Sequence, residues 1–409
     1  MSDSAQSESR IDFPSVSHHA RRDMSASAIA AGLVAVLVSF GGTAVLMVQA
    51  GHAAGLDAAR IGSWIGSLSL VLGLGGAFYS LRTGLPIVMA WSTPGAALLV
   101  TALAGVPFNE AIGAFVLAAA LTLACGLFGW IDPILRRIPG EIAAAMLAGV
   151  LLNFGMGIFT HIGKQPVLVL TMCAAYLVCR RWAPRYAVLV VMAVAVAMAA
   201  GLGLMRVDQL DWRLTEFVWT TPAFSAQAAV SLGIPLFVVA MASQNLPGLA
   251  ILQAAGYRPP ASRLVAATGF LGLLAAPFGA HSVTMGAISA AICTGPEAHA
   301  DPGKRYIAAA TYGIGYVALS IVAGAVAVFF QALPAALLAA LAGLALLGTI
   351  MGGMAAAMAN PQRREAALIT LLATASGFSF WGIGSAFWGL AAGLLAHAAF
   401  EYRRTRSGP

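Results

Sequence analysis

Apolar segments of about twenty residues follow one another from Ser27 to Phe400 with little more than turns between them. Each is long enough to cross a hydrocarbon core of about 30 Å as a helix. Inside a bilayer every backbone polar group needs an internal partner, so such segments are helices, broken only where protein or a cavity surrounds the break. The composition agrees: of 409 residues, 60% are hydrophobic and 9% charged, which excludes a soluble domain of this size. The expectation is an all-α integral membrane protein.

Hydropathy places fourteen spans near 27–49, 61–79, 85–103, 109–130, 139–160, 166–180, 185–204, 226–254, 262–278, 280–294, 305–330, 333–357, 364–380 and 383–400. With a cytoplasmic N-terminus, eighteen of the 22 Lys and Arg residues fall inside, and Arg60, Lys164, Arg206 and Arg213 fall outside. That skew is the positive-inside pattern and puts both termini in the cytoplasm. Residues 1–26 are polar and Ser-rich and read as a disordered cytoplasmic tail, and residues 401–409 read as a cytoplasmic tail at the other end. A cleaved signal peptide would have a shorter apolar region than Ser27 to Val48. The basic residues sit in pairs at segment ends, not in a stripe, so the net charge of +7 does not indicate nucleic acid. Cys125, Cys173, Cys179 and Cys293 are scattered singly and read as small core residues.

The external loop 205–225 divides the chain into spans 1–7 (27–204) and spans 8–14 (226–400). An odd number per half inverts the second half if the two are homologous. Three weak matches recur in order. Thr93-Pro94-Gly95-Ala96 resembles Thr284-Met285-Gly286-Ala287, Pro139 with AAAMLAGVLL resembles Pro334 with AALAGLALL, and VQAG ending at Gly51 resembles LQAAG ending at Gly256. Their common order supports a seven-plus-seven inverted repeat.

The third span contains AWSTPGAALL, Ala90 to Leu99. Ser92 or Thr93 reads as an N-cap and Pro94 as a first helical residue, where its missing N–H is no loss. A half-helix starting near mid-membrane would point its free N–H groups and positive dipole end at a cavity suited to an anion. In the tenth span Pro277-Phe278-Gly279 breaks the chain, His281, Ser282 and Thr284 supply polar caps, and Gly286-Ala287 allows close approach. Matched half-helices in inverted repeats are a transporter signature; each alone could equally be a kinked helix whose hydroxyls bond back to their own carbonyls.

The eighth span carries Ser243-Gln244-Asn245 before Pro247-Gly248. Side-chain amides there either bond between helices or donate to a carboxylate ligand. Gly41-Gly42-Thr43 and Gln49 suggest a similar break in the first span. All 15 acidic residues lie in tails, loops or span ends, and His281 is the histidine within a candidate binding segment, as a proton site or a hydrogen-bond donor. Gly62 and Gly66 read as helix packing. PEAHADP reads as a turn in which Asp301 caps the helix at Pro302, not as a metal site. The sequence gives no nucleotide loop, catalytic triad or metal cluster, which argues against an integral-membrane enzyme, the remote alternative, and implies no cofactor.

The segments AWSTPGAALLVTAL, NEAIGAF, AAAMLAGVLL, PRYAV, MASQNLPG, AISAAIC, GPEAH, LAGLALLGTI and ASGFSFWGIGSAFWGL resemble the bacterial benzoate/proton symporter family, BenE, over about residues 27–400. The resemblance implies the uracil permease and sulfate permease type of fold, with a core domain of spans 1–4 and 8–11 and a gate domain of the rest. It implies a substrate held between the half-helices of spans 3 and 10, beside spans 1 and 8. Where uracil-permease relatives carry glutamates in spans 8 and 10, this chain has Gln244-Asn245 and His281.

The reading that follows is import of benzoate or a similar aromatic carboxylate with protons across a bacterial inner membrane. An anion exchanger or uniporter of the same fold is the alternative. Ser92, Thr93, Pro94, Gly95 and Ala96 with Ser282, Thr284, Gly286 and Ala287 would bind the carboxylate, assisted by Gln244 or Asn245. Trp91, Phe278 and Thr43 are candidates for the pocket wall, and His281 and then Glu297 for proton coupling. The expected partners are the substrate, protons and the lipid bilayer, with a homodimer left open.

Overall fold

The computed structural model describes residues 20–129, 139–206, 213–381 and 383–406. Most of the expected tail, together with Asp132, Arg136, Arg137, Asp208 and Asp211, therefore lies outside the described residues. A short helical turn, Ala20–Asp23, precedes α1 (Ala26–Ala53), α2 (Ala58–Thr83), α3 (Thr93–Ala102) and α4 (Phe108–Leu127). Next come α5 (Gly140–Ile162), α6 (Pro166–Trp182) and α7 (Ala187–Gly201). After the 213–225 connection lie α8 (Ala226–Ala254), α9 (Ala261–Ala275), α10 (Ile288–Thr294) and α11 (Tyr306–Gln331). The chain closes with α12 (Ala335–Ala357), α13 (Arg364–Ala375) and α14 (Ser385–Arg406). Among the described residues, eight helices are long and apolar enough to cross a membrane.

The helices pack in two groups. In the first, α2 lies along α11 and α4 along α9, with α1 against α3, α10 and α11. In the second, α12 and α13 pack on α5, α13 on α14, and α6 on α7. Glycine makes the tightest crossings: a Cβ on Gly73 would lie 2.6 Å from the Gly313 carbonyl oxygen, and one on Gly62 would lie 2.9 Å from Gly324 Cα. Between α4 and α9, a Cβ on Gly126 would lie 2.2 Å from Ala266 N. With lipid as apolar as leucine, such backbone approach rather than water exclusion holds membrane helices together. A Cβ on Gly66 would meet Thr215 and the Ser320 carbonyl, so Gly62 and Gly66 do serve packing.

The chain is not purely helical. Met89–Trp91 (β1) pairs antiparallel with Val283–Met285 (β2), with Ala90 opposite Thr284. The expected break in α1 is absent: Gly41 and Gly42 remain helical, and Gln49 donates to the Leu338 carbonyl of α12 at 2.8 Å. The irregularity sits in α8, where π-helical turns span Ala229–Gly233 and Met241–Asn245. Pro235 and Pro247 follow these turns closely, and a proline leaves the carbonyl four residues earlier without its helical donor, a disturbance that a π turn absorbs.

Candidate functional site

The third-span break forms as read. Ser92, in extended conformation, caps α3: its Oγ accepts from Gly95 N at 3.0 Å, and its carbonyl accepts from Ala96 N at 2.8 Å. Pro94 fills the position where no amide hydrogen is required. Because Ser92 is the cap, the Thr93 hydroxyl is left to meet Thr43 Oγ1 of α1 at 2.5 Å.

The tenth span differs from its reading. Thr284 is a strand residue, not a cap, and its hydroxyl donates to the Ala90 carbonyl at 2.9 Å. Gly286 N donates to the Val88 carbonyl at 2.8 Å, and α10 begins at Ile288 with Ala287 as an N-cap that makes no side-chain bond. The helix start that matches Thr93 is thus Ile288, four residues beyond the position Thr284 suggested, and neither His281, Ser282 nor Thr284 caps α10. The short helix keeps its unpaired N-terminal amides. A Cβ on Gly286 would lie 2.9 Å from Val88 Cγ1, so close strand approach requires glycine there.

Between the two helix groups lies a cavity of 1580 Å³. It extends along α1 from Ser27 to Thr43 and no further, and along α12 from Leu344 to Ala356. It therefore opens at the end where α1 and α5 begin, while Gln49 ties α1 to α12 at the other end. Its inner wall brings together Thr43, Trp91, Thr93, Pro94, Gln244, Gly286 and Ala287, with Glu297 also on the lining.

Other sequence candidates lie outside this lining. Gly95 and Ala96 are buried in the first turn of α3, behind the Ser92 cap. Asn245 is fully buried, its Oδ1 accepts from Met285 N at 2.8 Å and its amide donates to Met241 Sδ at 3.3 Å, so it anchors β2 to α8. Phe278 is not a wall residue: its ring meets Phe217 and Trp219 edge-on, and its carbonyl accepts from Ser63 at 3.0 Å. Ser282 is buried with an unpartnered hydroxyl.

His281 is also buried away from the lining, edge-on to Trp64. Trp64 Nε1 can only donate, so His281 Nδ1 accepts its hydrogen at 3.1 Å, and the Nε2 hydrogen is donated to the Ser92 carbonyl at 3.1 Å. Both ring nitrogens are thereby used by the neutral tautomer, and the ring braces the residue that caps α3.

Sequence reasoning missed the strand pair and the cavity face of α6. Tyr176 and Arg180 both line the cavity. Their spacing of one helical turn was the available signal, but Arg180 reads as a topological charge beside Arg181. Arg180 and Glu297 are the charged side chains on the lining among the described residues. Trp91 extends the inner wall into an aromatic cluster, with ring centroids 5.6 Å from Phe40 and 5.3 Å from Tyr316.

Comparison with known proteins places this arrangement. The transmembrane domain of a cyanobacterium bicarbonate transporter BicA aligns with a TM-score of 0.55 at 13% identity, over 92% of this chain and 97% of that one. SLC26A9 aligns with a TM-score of 0.62 at 13% identity, covering 91% of this chain and 65% of that one. These likenesses show a shared fold. In sequence, the inner membrane protein YdcO of Escherichia coli K12 is 43% identical over 91% of this chain and 95% of its own length. The benzoate membrane transport protein of Acinetobacter baylyi is 40% identical over 92% of this chain and 96% of its own length. The family described as benzoate membrane transport protein, BenE, matches residues 22–399, and the chain belongs to that family.

Proposed function

We propose that this protein is a multi-pass inner-membrane transporter that imports benzoate or a similar aromatic carboxylate together with protons. The observation that carries the reading is the cavity whose inner wall is made by Thr93 at the start of α3 and the uncapped start of α10 at Gly286 and Ala287. A carboxylate placed there meets amide hydrogens and the positive helix end, with Gln244 as a further donor and Trp91 beside the ring. Because Ser92 already serves the first turn of α3, the greater share of free donors comes from α10.

Fourteen spans in two inverted sets of seven support alternating access in this reading. Exchanging the members of the two sets maps the α2–α11 packing onto α9–α4, and α6–α7 onto α13–α14. The first helix group would be the core domain and the second the gate domain, with the 205–225 connection between the repeats. With both termini cytoplasmic, the cavity opens inward. Proton coupling has a physical motive. A carboxylate of pKa about 4 is ionised at neutral pH, and an inside-negative potential opposes its inward movement by ~2.3 kcal/mol per 100 mV. That is roughly a fifty-fold exclusion, which one accompanying proton removes. Glu297, on the lining, is the proposed carrier, and His281 the brace of the site.

The reading is tested by equilibrium binding of benzoate and of neutral benzamide to the purified protein. Preference for benzoate, lost in the Gly286→Val variant while the protein stays folded, is expected. Equal binding of both compounds would overturn the carboxylate site.

A further inference from the structure

A second void of about 10 Å³ lies where α4, α8, α9 and β2 meet, with Phe237 bordering both it and the large cavity. Its wall is alanine, glycine and large apolar side chains interrupted by three hydroxyls: Thr122 of α4, Thr268 of α9 and Ser282 next to β2. All three residues are more than nine-tenths buried.

The hydroxyl protons decide what the void can hold. Thr122 Oγ1 donates to the Ala118 carbonyl at 2.8 Å and Thr268 Oγ1 to the Val265 carbonyl at 2.8 Å. Each threonine has thus used its one proton and offers only lone pairs. Ser282 Oγ has no partner and can still donate. The complement is a molecule with two donors and an acceptor in the volume of about one water.

We propose that this void binds one ordered water, which donates to Thr122 and Thr268 and accepts from Ser282. Three bonds to buried polar groups are the usual environment of an internal water. A sodium ion is a poorer fit, because three neutral oxygens with no carboxylate in the wall leave its charge uncompensated in an apolar interior. An empty void leaves Ser282 unsatisfied, which buried groups rarely are. The water joins β2, and through it the start of α10, to the α4–α9 pair; with the β1 ladder and Asn245, it is a third support for the strand that carries the site.

The test is a density map of the full chain in nanodiscs at about 2 Å, recorded in sodium-free choline buffer and again in sodium. One peak within ~2.7–3.2 Å of all three oxygens in both buffers is expected. An empty void, or a peak that requires sodium, overturns the proposal. A thermal double-mutant cycle gives an independent readout. Ser282→Ala and Thr122→Val would share the loss of one water, so their combined fall in Tm is smaller than the sum of the single falls; additive falls overturn it. Thr268→Ser keeps a hydroxyl and keeps the peak, and supplies a folded comparison should the valine variant fail to fold.

Discussion

Replacing His281 by glutamine removes the titratable ring while keeping an acceptor for Trp64 Nε1 and a donor for the Ser92 carbonyl, the two groups His281 bonds at 3.1 Å each. Replacing it by alanine removes both bonds: the buried Trp64 N–H is left unsatisfied, at about 1–3 kcal/mol, while the Ser92 carbonyl keeps its helical bond from Ala96 N. Since ~1.4 kcal/mol is tenfold in an equilibrium, alanine is expected to depopulate the ordered α3 start by roughly tenfold. Charging the ring instead would set an Nδ1 hydrogen against the Trp64 donor in a site with 1% exposure, so a proton on His281 breaks the brace. The assay is accumulation of labelled benzoate in liposomes across a series of imposed pH gradients. The glutamine variant should keep the gradient dependence, with a rate within about threefold of the parent protein, since each bond it retains is worth ~1 kcal/mol. The alanine variant should lose transport and melting temperature together. A glutamine variant that equilibrates benzoate but no longer accumulates it against a gradient would refute the reasoning and make His281 the proton carrier.

Three further outcomes follow from the site. Asn245→Leu strands the Met285 amide hydrogen that Asn245 accepts at 2.8 Å, costing about 1–3 kcal/mol and lowering the melting temperature, whereas Gln244→Leu should raise the Kd for benzoate with little change in melting. Gly286→Ala places a Cβ 2.9 Å from Val88 Cγ1 and 3.2 Å from Ala90 Cβ; overpacking of about 1–3 kcal/mol should appear as lower stability and weaker benzoate binding. Arg180→Gln should raise the apparent KM for benzoate offered from the open side of the cavity, more at low salt than at high salt, while Arg181→Gln, off the lining, should not.

The parts legible in the sequence are those whose meaning is local. Ser-Thr-Pro-Gly announces a helix start because a cap and a proline act within one turn, and Ser92 and Pro94 do so here. Asp301 likewise caps the turn at Pro302, accepting from Gly303 N. Asn245 was legible as a costly polar residue, but its partner Met285 lies 40 positions away, so its structural role was not. The strand pair joins residues nearly two hundred positions apart over three residues each, too short for an alternating pattern. Thr284-Met285-Gly286-Ala287 resembled Thr93-Pro94-Gly95-Ala96 and drew the start of α10 four residues early; the structure matches backbone shape, not residue type. Gly41 and Gly42 looked like a break, yet glycine costs a helix only about 1 kcal/mol and packing overrides it. The prolines of α8, by contrast, remove backbone donors, and that is where the helix departs from regularity.

The central claim is that a carboxylate crosses this protein with a proton. The direct measurement is uptake of labelled benzoate by the purified protein in liposomes, with an inward proton gradient, with the gradient collapsed, and with internal benzoate and no gradient. Accumulation above the external concentration under the gradient, abolished on collapse, is the predicted result. Uptake indifferent to the gradient but driven by internal counter-anion would contradict it and establish an exchanger on the same fold.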